Sequence, residues 1–78
     1  MTSPESRMAR EIGEICVELG GEEYVALYFD RSRGSWSATA AMKPRRKRDR
    51  YWHGYGWSPQ AALKDLLNDL RALIGRPQ

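Results

Sequence analysis

Apolar side chains recur at three- and four-residue spacing near the start of the chain: Met8, Ala9, Ile12, Ile15, Cys16 and Leu19. That spacing places them on one stripe of a helix. Thr2 or Ser3 can cap its start, Pro4 suits the first turn, and Thr2 with Glu5 has capping-box spacing. Gly20-Gly21 ends it, because glycine accepts the left-handed conformation that closes a helix. Gly13 inside the helix costs about 1 kcal/mol relative to alanine, and its missing side chain leaves room for a strand or helix to pack close.

The period then changes from helical to alternating. Residues 23–30 read as a strand, with Val25, Leu27 and Phe29 on one face and Tyr24, Ala26 and Tyr28 on the other. Arg31-Ser32-Arg33-Gly34 has the composition of a tight turn, so a hairpin follows. A second strand runs from Ser35 to Met42, with Trp36, Ala38, Ala40 and Met42 opposite a small, mostly polar set of Ser35, Ser37, Thr39 and Ala41. Lys43 to Arg50 reads as a loop broken by Pro44. Tyr51 to Tyr55 resumes as a short third strand, which Gly54 and Gly56 loosen.

The final segment carries the strongest signals. Ser58 is an N-cap and Pro59 takes the first helical position. Ala62, Leu63, Leu66, Leu67, Leu70, Leu73 and Ile74 form a wide apolar stripe, Gly75 stops the helix, and Pro77 lies beyond. The chain is therefore expected to be one compact α+β domain over residues 1–78: helix, three-stranded antiparallel meander, helix. Both helices need one apolar surface, so both pack on one sheet face, where Ala38 and Ala40 let them sit close. The other face, with Tyr24 and Tyr28 beside Ser37 and Thr39, is left for water or a partner.

Composition narrows the function classes. Seventy-eight residues limit the chain to one domain, too small for an ordinary enzyme with a buried cleft. No stretch approaches a membrane span, and the polar Met1–Glu5 start carries no signal-peptide pattern. A single cysteine excludes an internal disulfide and makes a reducing, cytoplasmic setting the default. The net charge of +3 hides a division. Residues 1–23 set two arginines against six glutamates, a balance of −4, whereas residues 24–57 set eight cations against two aspartates, a balance of +6.

Most of that positive charge lies in Lys43-Pro44-Arg45-Arg46-Lys47-Arg48-Asp49-Arg50. Adjacent like charges repel and gain nothing from burial, so folding does not require them. Arginine dominates, and its fork suits phosphate or carboxylate. Arg31 and Arg33 occupy the preceding hairpin turn, at the opposite end of the second strand, so one continuous patch does not follow. The plain alternative is a solvated loop that aids solubility. Tyr51-Trp52-His53-Gly54-Tyr55-Gly56-Trp57 comes next. Aromatics beside arginines can stack bases while cations hold phosphates, or anchor a protein interface. Trp52 and Trp57 are candidates for the core as much as for an interface, whereas Tyr51, His53 and Tyr55 are expected at the surface.

No catalytic, cofactor or metal site is expected. Cys16 falls on the first helix's apolar stripe, which makes it a structural thiol rather than a nucleophile paired with His53. One histidine and one cysteine do not assemble the four ligands of a zinc centre. Glu11, Glu14, Glu18, Glu22 and Glu23 look like a solvated helix face and its following loop.

Three resemblances bear on function. The element order resembles a double-stranded-RNA-binding domain, and Gly54-Tyr55-Gly56-Trp57-Ser58 is similar to that family's Gly-x-Gly-x-Ser lead into its last helix. The family carries lysines at the start of that helix, where this chain has Pro59-Gln60-Ala61-Ala62 and only Lys64 nearby. Gly56 to Leu63 resembles the sheet-to-helix junction of HicB-type antitoxins, which would imply a protein that occludes a small RNA-cleaving toxin. In size and concentrated charge the chain also resembles small phage proteins that inhibit CRISPR effector complexes. That resemblance carries over no residue.

The expected function is a non-enzymatic inhibitor or adaptor docking on an acidic protein or nucleoprotein surface. Lys43, Arg45, Arg46, Lys47, Arg48 and Arg50, supported by Arg31 and Arg33, would supply charge, and Tyr51, His53 and Tyr55 the anchors. The alternative is direct binding of DNA or RNA by the same residues, with Tyr24 and Tyr28 as stacking platforms. An antitoxin-like partner is the third reading. The species is expected as a monomer or weak homodimer.

Overall fold

A computed structural model describes residues 3–21, 23–42 and 50–75. The order is α1 (Pro4–Glu18), β1 (Val25–Asp30), β2 (Ser35–Met42), β3 (Arg50–Gly56) and α2 (Pro59–Ile74). The strands form one antiparallel sheet in the order β1-β2-β3. Arg50 pairs with Met42, so the third strand begins at a position expected in the loop. It also runs through Gly56.

Local chemistry sets the helix ends. Ser3 is the N-cap of α1, its hydroxyl accepting the Ser6 N–H at 3.1 Å, while Thr2 lies outside the described residues. At the far end Gly20 adopts φ +84° and donates to the Val17 carbonyl, and Gly21 donates to Cys16 at 2.7 Å. These two bonds satisfy carbonyls that the last turn leaves unpaired. In α2, Ser58 accepts the Ala61 N–H at 3.1 Å, Pro59 has no N–H and so needs no acceptor, and Gly75 closes the helix at φ +76°. Pro77 lies outside the described residues.

The two helices share one face of the sheet. Ile12, Ile15 and Cys16 from α1 meet Ala62, Leu63, Leu66, Leu67 and Leu70 from α2 over Ala38 and Ala40. Each fully buried isoleucine or leucine contributes about 1.5–3 kcal/mol of transfer free energy. Leu73, expected on the apolar stripe, is more than half exposed, whereas the next residue, Ile74, packs against the core. Val25, Trp36 and Trp52 border the core from the sheet.

Gly54 and Gly56 do not loosen β3. A Cβ on Gly54 would overlap the Leu66 backbone nitrogen and lie 2.5 Å from the Ala62 oxygen. One on Gly56 would meet Ala61 and the Ala62 nitrogen at 2.6 and 2.7 Å. The glycines are the seat that lets α2 lie directly on β3. At Gly13 the close neighbour is the Glu23 side chain, 2.7 Å from where a Cβ would stand, rather than a strand or helix backbone.

Glu11 departs from the solvated acidic face expected of α1. Its carboxylate accepts Nε and Nη2 of Arg71 at 2.5 and 2.8 Å, tying α1 to α2. This hydrogen bonding, more than the ion-pair attraction that adds to it, raises the Arg71 pKa above its ordinary value.

Candidate nucleic-acid interface

Strand register decides what the helix-free face presents. Val25, Ala40 and Trp52 make one cross-strand row, and Leu27, Ala38 and Gly54 the next. Both rows face the helices, so the intervening rows face outward. These are Ala26-Thr39-His53 and Tyr28-Ser37-Tyr55, with Tyr51 one step further along β3 and Tyr24 just before β1. Tyr24, Tyr28, Tyr51, His53 and Tyr55 therefore lie together, as the alternation predicts, and all are exposed.

The distribution within the face comes from the pairing of the strands. Aromatic rings stand on the two outer strands, while β2 contributes Ser35, Ser37 and Thr39. The result is a shallow trough with aromatic walls and a hydroxyl-bearing floor, its walls about 10 Å apart at two strand spacings. Parts of the walls are fixed. Thr39 Oγ1 and His53 Nδ1 are 3.1 Å apart, and His53 stacks on Tyr55 at a ring separation of 6.3 Å. The Tyr24 hydroxyl is held above the ordinary phenol range, first by hydrogen bonding with Tyr28 and then by the electrostatic proximity of Tyr28 and, more weakly, Tyr51.

Cations stand at the turn end of the trough. At one end, the β1–β2 turn carries Arg31 and Arg33, both exposed. Asp30 organises this turn: its Oδ1 accepts the Ser32 hydroxyl at 2.6 Å and the Ser32 N–H at 3.0 Å. Those bonds, led by the hydroxyl, and the nearby Arg33 hold the Asp30 carboxyl below its ordinary range. The opposite end is the Met42–Arg50 pair, where β2 gives way to β3. Lys43, Arg45, Arg46, Lys47 and Arg48 lie outside the described residues.

Trp57 is the residue that sequence reasoning missed. It is 80% exposed, not core. With Arg33, Ser35, Tyr55 and Gly56 it lines an open cleft of about 520 Å³ at the turn end of the trough. Its odd-numbered position, continuing Tyr51, His53 and Tyr55, is the signal that could have found it.

The arrangement offers stacking surfaces, hydroxyl hydrogen-bonding groups and terminal cations. Cys16 is sealed in the core, where burial pushes its thiol pKa up, and His53 stands on the opposite side of the sheet. The two do not form a dyad. Among the described residues no group of three acidic, histidine or cysteine side chains could hold a metal ion, and no helix is long and apolar enough to cross a membrane. No family model matches the chain, and neither a curated protein nor a solved structure matches it.

Proposed function

We propose that the chain is a non-enzymatic, cytoplasmic module that binds single-stranded nucleic acid, free or displayed on a nucleoprotein complex, across its helix-free sheet face. The observation that carries this reading is the aromatic trough. Tyr28 and Tyr55 flank Ser37 in one cross-strand row, with Tyr24, Tyr51, His53 and Trp57 continuing the walls. Unpaired bases stack on such rings whatever their identity, at about 1–3 kcal/mol per base. Arg31 and Arg33 at one end, and the cations that follow Met42 in sequence, suit the phosphates.

Charge placement supports a single strand over a duplex. The helices expose Glu14, Glu18, Asp65 and Asp69 against Arg7, Arg10 and Lys64, a net acidic balance, and α2 begins with Pro59, Gln60 and Ala61. A duplex crossing the helices would meet acidic groups. Inhibition by docking on a protein surface alone, whether a CRISPR effector or a toxin, is the rival reading, and the same assay separates it.

Fluorescence anisotropy with labelled single-stranded RNA, single-stranded DNA and the matching duplex is the test. Single strands are expected to bind more tightly, with log affinity falling against log salt by about 0.7 per neutralised phosphate. Neutralising Arg45, Arg46, Lys47 and Arg48 should flatten that slope. Absence of binding to either single strand at low salt would overturn the proposal and turn attention to a protein target.

A further inference from the structure

The two edges of the sheet are finished differently. Along β3, α2 presses on Gly54 and Gly56, and Asp65 accepts the Tyr55 N–H at 2.9 Å. That edge has a helix beside it and a carboxylate on one of its backbone donors. Among the described residues the β1 edge has neither feature. Val25–Asp30 pairs with β2 on one side alone, contains no proline or lysine, and has its single charged residue, Asp30, only at the end, so its middle lacks the residues that commonly discourage edge pairing. The helices lie mainly over β2 and β3, and α1 meets β1 least. Leu27 and Phe29, on the helix-side face of β1, consequently remain 39% and 51% exposed.

Charge at the two ends of this edge identifies what would cover it. Glu23 precedes β1 and Arg31 follows it, both exposed. Glu23 lies against Gly13 of α1, on the same side of the sheet as Leu27. A second β1 laid antiparallel brings each glutamate opposite an arginine. A parallel one would set glutamate beside glutamate and arginine beside arginine, which is destabilising.

We propose that β1 pairs antiparallel with β1 of a second copy about a two-fold axis at Leu27. The two sheets then become one six-stranded sheet. In this register Leu27 faces Leu27 of the second copy, Val25 faces Phe29, and Glu23 faces Arg31. Odd positions meet odd positions, so both helix layers fall on one side and the exposed Leu27 and Phe29 are covered. The two aromatic troughs fall together on the other side. Association needs no nucleic acid and stands or fails separately from the binding reading.

Sedimentation equilibrium of the full chain, without nucleic acid, from micromolar to millimolar concentration is the test. A reversible monomer–dimer equilibrium is expected. Leu27→Arg sets two like charges on the axis and should weaken association about tenfold or more, equivalent to about 1.4 kcal/mol. Tyr55→Ala should leave it unchanged. Glu23→Arg and Arg31→Glu should each weaken the dimer, and their combination should restore it. Because those sites are exposed, the swap remains informative should Leu27→Arg disturb folding. With oxidised glutathione added as the two-electron oxidant, Leu27→Cys should form a disulfide-linked dimer, since opposed residues in an antiparallel pair lie about 4.5–5.5 Å apart, within disulfide reach. A chain that stays monomeric to millimolar concentration, a dimer that resists Leu27→Arg while folded, or a charge swap without rescue overturns the proposal.

Discussion

The two faces of this sheet use the same three strands for opposite ends. Beneath the helices the sheet sets small residues under aliphatic ones, Ala38, Ala40, Gly54 and Gly56 beneath Leu63 and Leu66, with the larger Trp36 and Trp52 only at the margin of the core. The open side is built from large rings around small hydroxyls: Tyr28, Tyr51 and Tyr55 around Ser37 and Thr39. Side-chain volume is thus inverted between them. Small residues inside let a helix approach, and large ones outside create relief to which a ligand can fit. Substitutions on the first face should act through stability, and those on the second through binding.

The largest effect is expected at Gly54. Gly54→Val places a branched side chain where even a Cβ would meet the α2 backbone at 2.5 Å. Because helix backbone rather than a flexible side chain must move, the cost should exceed the roughly 1–3 kcal/mol typical of overpacking and reach the about 3–5 kcal/mol that a core this small supplies. Urea titration followed by circular dichroism should find this variant largely unfolded in buffer. Leu66→Ala, at about 2–5 kcal/mol, should come close to the same result.

Across the sheet, Tyr28→Ala and Tyr55→Ala should each weaken single-strand binding by about five- to hundredfold, one stacked base apiece. Their unfolding midpoints should stay near that of the unmodified chain, because surface substitutions usually alter stability by less than about 0.5 kcal/mol. A tyrosine variant that loses stability and binding in parallel would erase the distinction between the faces.

The helix–helix pair should give a smaller effect. The side chains of Glu11 and Arg71 are 29% and 27% exposed, which limits their worth despite the two-bond geometry. Glu11→Gln is expected to cost about 1 kcal/mol, read from urea midpoints, with no change in binding. The smallest effect is the response to alkali. Burial raises the Cys16 thiol pKa, so the fold favours the protonated form. That contribution is complete below the ordinary thiol value of about 8.5 and fades as pH rises through the raised value. Cys16→Ala should remove this alkaline component of the pH–stability profile, and thiol reagents should react with the parent chain only as it unfolds.

Much of the fold is legible along the chain. Ser58-Pro59 and Gly75 bound α2 because caps depend on residues within a turn of each other. The alternation of Tyr24, Ala26 and Tyr28 against Val25, Leu27 and Phe29 assigns the faces of β1 correctly, because side-chain direction in a strand repeats every two residues. The candidate site is half legible. Alternation picks out its tyrosines, but Trp57 stays open between core and surface, because it stands one residue past the end of β3 and the odd-numbered alternation reaches it only if the strand's parity is carried beyond that end. The glycines of β3 mislead for a related reason: a missing side chain announces freedom locally and contact only when the opposing helix is known.

Element types, their order and the inward or outward sense of most side chains follow from spacing and capping, which act over a few residues and are written in the chain itself. The seating of α2 on Gly54 and Gly56, the pairing of Glu11 with Arg71 at a separation of 60 positions, and the contrast between a guarded and a bare sheet edge come only from the folded arrangement. Each depends on how closely distant segments approach, and that distance is set by the sum of all the packing contacts rather than by any local run of residues.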